Sequence, residues 1–132
     1  MTTLAQGQLV LIVEDNEKNL KLARDLLQYH GFSTIEAPDA ETGLRMASDS
    51  KPDIILMDIE LPGMDGVTAL ERLRADPAIA DIAVVAFTAS VMPVDRDRFS
   101  RAGFAGVIVK PIDVAIFPRQ VLAYCNGSAR DG

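Results

Sequence analysis

Four short apolar runs in this chain break off at a side chain that a hydrophobic core would not accept. Leu9–Val13 gives way to Glu14 and Asp15, Ile54–Met57 to Asp58, Ile82–Phe87 to Thr88, and Val107–Val109 to Lys110 and Pro111. Short runs rich in Val and Ile, separated by stretches of helical period, read as strands buried on both faces, the mark of parallel pairing. Ligands of an open α/β sheet gather in the crevice beyond the carboxyl ends of its strands. The pattern therefore brings three carboxylates, a hydroxyl and an ammonium to one edge of one sheet.

Strands are expected near 9–13, 33–36, 54–57, 82–87 and 106–109, and helices near 17–29, 39–49, 65–74, 92–101 and 113–124. Asn16 suits an N-cap, Leu20, Ala23 and Leu27 share one face of the helix it opens, and Gly31 is placed to end it. Gly43 and Leu44 fall within the second helix, which stops before Lys51-Pro52. Leu70 and Leu73 form the inner edge of the third, and Pro93 fits the first turn of the fourth. Strict βα alternation with short connections implies right-handed crossovers and a sheet covered on both faces. The expected class is α/β, a doubly wound five-stranded parallel sheet. Residues 1–8 read as a flexible leader, 9–124 as one domain and 125–132 as a flexible tail. With no Pro- or Gly-rich linker and no internal repeat, a separate output domain finds no room, and the chain is expected to act through its own surface.

Bulk properties remove several classes. A length of 132 residues with 48% hydrophobic and 24% charged residues describes one globular domain. A formal net charge of −6 and the lack of any Lys/Arg cluster argue against binding nucleic acid. No apolar run approaches the roughly 20 residues of a membrane-spanning helix, and the first eight residues have neither a basic start nor an apolar secretory segment. The single Cys125 forms no internal disulfide and fits no thiolate metal pattern. A cytoplasmic location is the resulting expectation.

Carboxylates at adjacent strand ends raise one another's pKa unless a cation or donor intervenes. An all-oxygen donor set without His or Cys suits Mg²⁺. Taken alone, Glu14 and Asp15 serve equally as caps on the positive N-terminus of the first helix or as metal ligands. Asp58 follows four apolar residues of the expected central strand and precedes the turn-rich Glu60-Leu-Pro-Gly-Met-Asp-Gly66. It is a ligand, an acid/base group, a nucleophile, or merely a turn former. Thr88 and Lys110, each unremarkable alone, together supply donors for an oxyanion, which is what phosphoryl transfer requires.

The ordered set Val-Glu14-Asp15-Asn, Leu-Met-Asp58-Ile-Glu-Leu-Pro-Gly-Met-Asp-Gly66, Thr88-Ala and Lys110-Pro111 resembles the CheY-like receiver domains of response regulators, over residues 8–124. The start Glu-Asp-Asn-x-x-Asn-x-x-Leu (14–22) is similar to stand-alone cell-cycle regulators of the DivK type and to receivers of hybrid kinases. The resemblance implies a flavodoxin-like (βα)5 fold with strand order 2-1-3-4-5 and a cis peptide before Pro111. It implies that Asp58 accepts a phosphoryl group from a phosphohistidine on a histidine kinase or phosphotransfer protein. Asp15 and Asp58 would bind Mg²⁺ directly with the backbone carbonyl of Glu60, Glu14 would act through water, and Thr88 and Lys110 would contact the phosphoryl oxygens. Such a chain is a switch that promotes its own phosphorylation and dephosphorylation, not an enzyme with external turnover. Its partners are the phosphodonor at the active-site edge and a target on the helix 4–strand 5–helix 5 face, and the chain itself is a monomer or weak dimer. A relay intermediate without dedicated output is an alternative, as is a receiver-like module without phosphorylation, though the complete acid–Thr–Lys set speaks against the latter.

Two positions depart from the family pattern or tune it. Val107 stands where receivers often carry Tyr or Phe, so the usual Thr–aromatic gate is replaced by a route to helix four through the loop 89–92. Glu60, two residues past Asp58, is expected to influence dephosphorylation by repelling hydroxide or by orienting a water. The runner-up function is a haloacid-dehalogenase-like phosphatase with Asp58 as nucleophile. Such enzymes usually have a second Asp where this chain has Glu60, and they carry a cap over the substrate. His30 is expected at a helix end and Cys125 as a bystander. Met92, Phe99 and Phe117 are expected either in a partner patch or, for the two Phe, in the core.

Overall fold

Ten elements alternate from first to last: β1 (Leu9–Val13), α1 (Glu17–Tyr29), β2 (Ser33–Ala37), α2 (Ala40–Ser50), β3 (Ile54–Asp58), α3 (Gly66–Arg74), β4 (Ala83–Thr88), α4 (Pro93–Ala102), β5 (Gly106–Val109) and α5 (Phe117–Cys125). They are seen in a computed structural model that describes residues 5–61, 63–89 and 93–125. The strands form one parallel sheet in the order β2-β1-β3-β4-β5, the flavodoxin-like arrangement. All five residues of β3 and all six of β4 are buried, whereas the edge strands β2 and β5 are only partly covered.

Alternation along the strands divides the interior into two cores. Leu11, Val13, Ile55, Met57, Val84 and Ala86 face α2, α3 and α4, meeting Ala47, Leu70, Leu73 and Phe99. Val10, Ile12, Ile54, Leu56, Val85, Phe87 and Ile108 face α1 and α5, meeting Ala23, Leu27, Phe117 and Val121. Phe99 and Phe117 are thus core residues, with 2% and 0% of their surface exposed. Met92 and the loop residues 90–92 lie outside the described residues, as does the expected tail beyond 125.

Element ends follow local hydrogen bonding. The Asn16 side chain accepts from the N–H groups of Lys18 and Asn19. Asp39 and Asp65, expected as first helical residues, are instead N-caps of α2 and α3, accepting from Thr42 and Thr68 at 2.8 Å each. At the end of α1, Gly31 (φ 94°) donates to Gln28 and Phe32 to Leu27, a Schellman turn that requires the left-handed conformation glycine tolerates. Helix α5 begins at Phe117 rather than 113. The Asp113 carboxylate accepts from Ala115 N–H, and its carbonyl from Ile116 and Phe117, so 114–116 form a turn that feeds the helix. Of the expected flexible leader, residues 5–8 are tied down: Ala5 N–H donates to His30 C=O and Gly7 N–H to Gly31 C=O, and Ala5 is buried in the α1/α5 core. Among the described residues no helix is long and apolar enough to cross a membrane.

Candidate functional site at the carboxyl edge of the sheet

Each of the three central strands delivers one polar residue to the same edge. Glu14 continues the alternation of Val10 and Ile12, and Asp58 that of Ile54 and Leu56, so both side chains leave the sheet on the α1/α5 side. The turn after each strand then holds its carboxylate by a backbone donor. Glu14 Oε2 accepts from Asn16 N–H at 3.2 Å, and Asp58 Oδ1 accepts from Glu60 N–H at 2.9 Å. Glu14 and Asp58 are buried, while Asp15 is exposed at the rim. One oxygen from each of Glu14, Asp15 and Asp58 lies within 4.8 Å of the others, the one such acidic cluster among the described residues.

A cation bridges the two buried acids. Lys110 Nζ donates to Glu14 Oε1 at 2.7 Å and to Asp58 Oδ2 at 3.2 Å. Its backbone N–H donates to Thr88 C=O at 2.8 Å, and the Lys110–Pro111 peptide is cis. The ammonium also stands 5.1 Å from the centroid of the Phe87 ring. Burial raises the pKa of Glu14, and its contact with Asp58 adds to this, while Lys110 and Asn16 pull it back. Burial works against the charge on Lys110, but the bond to Glu14 and the charge of Asp58 outweigh it, so its pKa is raised and the ammonium persists.

Thr88 ends β4 fully buried, one residue past Phe87, the register partner of Asp58. Glu60 is exposed, and its described contribution is the N–H that holds Asp58. Phe87 was legible only as a core residue, because an aromatic at a strand end carries no signal of what will lie over it. Gly66 is a second missed position: a Cβ there would stand 3.0 Å from Ile59 Cα and 3.1 Å from the Asp58 carbonyl oxygen, so its absence lets α3 start against the acidic loop. Cys125 is remote from the edge, and burial, with the charge of Asp53, pushes its thiol up to about 12.

A doubly wound sheet with strand-end acids and a lysine does not by itself name a function. The family model of the response regulator receiver domain matches residues 10–121. The chain belongs to that family. The receiver is 40% identical over 115 residues to the polar-differentiation response regulator DivK of Brucella anthropi, covering 87% of this chain and 94% of that one, and equally so to DivK of Brucella ovis. Among solved structures it resembles the receiver domain of a Pseudomonas aeruginosa sensor histidine kinase, described with magnesium coordinated in its active-site cleft (30% identity, TM-score 0.83, 91% of this chain and 98% of that one). The Vibrio cholerae chemotaxis protein CheY4 shares the fold (TM-score 0.83, 22% identity, 88% of this chain and 97% of that one). The receiver is therefore a response-regulator module of phosphorelay signalling. Nothing in the structure or in these similarities supports the phosphatase alternative.

Proposed function

We propose that Asp58 is the phosphoacceptor of an Mg²⁺-dependent switch, taking a phosphoryl group from a phosphohistidine on a histidine kinase or phosphotransfer protein. The observation that carries this reading is the single ammonium of Lys110 bridging the buried Glu14 and Asp58. An acceptor carboxylate must approach an anionic phosphoryl group, and a cation already in contact with it offsets that repulsion. An Asp58 oxygen bonds to phosphorus as the P–N bond breaks. The imidazole nitrogen leaves with the electron pair and takes up a proton. Lys110 and the Thr88 hydroxyl then donate to phosphoryl oxygens, while Glu60 N–H keeps the carboxylate aimed.

The donor set fits a hard cation: three carboxylates converge, and no His or Cys stands among them. Asp15 and Asp58 would hold Mg²⁺ directly with the backbone carbonyl of Glu60, and Glu14 through water. When bound, the ion supplies positive charge opposite the transferring group. The magnesium of the Pseudomonas receiver supports this assignment.

Phosphorylation replaces one carboxylate charge with roughly one and a half to two. Driving a two-state surface from mostly off to mostly on takes about 5 kcal/mol of differential interaction. Output is a change in protein binding on the α4–β5–α5 face of a cytoplasmic monomer or weak dimer, with the phosphodonor docking at the acidic edge. Incubation with acetyl phosphate and Mg²⁺ is expected to add about 80 Da, the mass of HPO₃, and Asp58→Asn to abolish the adduct. An unlabelled wild type, or labelling that survives in Asp58→Asn, overturns the reading. Acyl-phosphate lifetime in Glu60→Gln, compared with wild type, tests the role of Glu60 in dephosphorylation, and equal lifetimes remove it.

A further inference from the structure

Asp58 ends β3 and Lys110 directly follows β5, two strands that are not neighbours. β4 separates β5 from β3, so the lysine reaches the acceptor carboxylate only by lying across the end of β4. Register decides what it crosses. Asp58 is paired with Phe87, and Phe87 with Ile108. Phe87 and Ile108 face the α1/α5 core, and Lys110, two residues past Ile108, returns to the same side.

The geometry points to Phe87 as a positioning residue that holds the Lys110 ammonium over the acceptor carboxylate. This rests on the reading of Asp58 as phosphoacceptor. Among the described residues three partners surround the ammonium: Glu14 at 2.7 Å, Asp58 at 3.2 Å and the Phe87 ring centroid at 5.1 Å. The nearer acid, Glu14, directly follows β1, beyond Asp58, and draws the lysine past its target. The negative face of the ring attracts the ammonium from the β4 side and opposes that pull. Phe87 is itself held by packing, 1% exposed and stacked on the buried Phe117 at 6.1 Å between centroids. An aliphatic residue would fill the space without attracting charge. A polar one would compete with Asp58 for the same donor.

Graded fluorination of the Phe87 ring, introduced by nonsense suppression, weakens its negative face while nearly preserving its shape. The readout is the rate of phosphoryl uptake from acetyl phosphate with Mg²⁺. In that reaction an Asp58 oxygen bonds to phosphorus, the P–O bond to acetate breaks, and acetate leaves with the pair. Uptake is expected to fall stepwise along the fluorinated series at constant melting temperature, and by about tenfold in Phe87→Leu. Phe104→Leu, a buried aromatic of the opposite core, is expected to lose stability yet keep uptake within about twofold of wild type. In NMR spectra the Lys110 ε-methylene protons should carry an upfield ring-current shift that Phe87→Leu removes. A flat fluorinated series, or a wild type lacking that shift, overturns the role of Phe87, and the series decides even where Phe87→Leu does not fold. Failure of the wild type to label at all is a different result, and it removes the acceptor reading.

Discussion

Lys110 shows how much of the site rests on one charge. It is shared by two buried carboxylates, and breaking a buried pair by removing one partner typically costs about 3 kcal/mol or more. Lys110→Met is therefore expected to destabilise the chain at neutral pH by about 3 kcal/mol, measured by urea unfolding. The pH dependence has a definite sign. Glu14 has a folded pKa raised above its ordinary 4.5, so above 4.5 the folded state keeps a proton that the unfolded state has released. Stability then falls as pH rises through that window. Removing the lysine takes away a contribution that lowers the Glu14 pKa, so the window should widen in Lys110→Met and close in Lys110→Met/Glu14→Gln. Asp65 has the opposite sign. Its folded pKa lies below the ordinary 3.8, chiefly because its carboxylate accepts from Thr68 N–H. Its contribution is present above that value and is lost as pH falls through the folded pKa. Asp65→Asn keeps an acceptor but cannot titrate, and should flatten the loss of stability as pH falls below 3.8.

Close approach at the element scale depends on glycines, Gly43 and Gly66 among them. A Cβ at Gly43 would stand 2.8 Å from Val13 Cγ2, and Val13 is a branched residue fixed within the sheet. Gly43→Ala is expected to push α2 off β1 and to cost about 1–3 kcal/mol, as overpacking does. Gly66→Ala meets backbone as well as side chain, at Ile59 Cα and the Asp58 carbonyl oxygen, so the chain at Asp58 and Ile59 must shift. Loss of a glycine also lowers the entropy of the unfolded chain, by about 0.4–1 kcal/mol, which should help keep the variant folded. Weaker Mg²⁺ binding by calorimetry and slower phosphoryl uptake are the expected outcome, and unchanged Mg²⁺ affinity would show that the loop does not set the site. The N-terminal segment also acts as an element. Ala5 and Gly7 donate to the carbonyls of His30 and Gly31, and deletion through Gln6 should lower the melting temperature by exposing the end of α1.

Across the whole molecule, two cores share one sheet, and the site lies where that sheet ends. Loading Asp58 with beryllofluoride, a phosphoryl mimic, is expected to change hydrogen exchange around Thr88, Ala89 and the start of α4 more than along β5, because Val107 provides no aromatic to swing. Equal changes along both would restore a β5 route. Much of this was legible in the chain. Val/Ile runs of strand length alternating with helical stretches favour a buried parallel sheet, since strands of such sheets are covered on both faces. A polar residue directly after each run has nowhere to go but the carboxyl edge. Glu14, Asp15, Asp58, Thr88 and Lys110 could thus be named, and Asn16 and Gly31 marked helix ends through local hydrogen bonding. Local sequence was silent where distant strands meet. Nothing in it says that Asp58 is level with Phe87, that one ammonium spans Glu14 and Asp58 over that ring, or that Ala5 is buried beside Leu27. Hydrogen bonds within a turn join residues a few positions apart, and residue types reveal them. Register and packing join residues far apart in the chain, 29 positions for Asp58 and Phe87 and 96 for Lys110 and Glu14, and only the closed fold decides which ones touch.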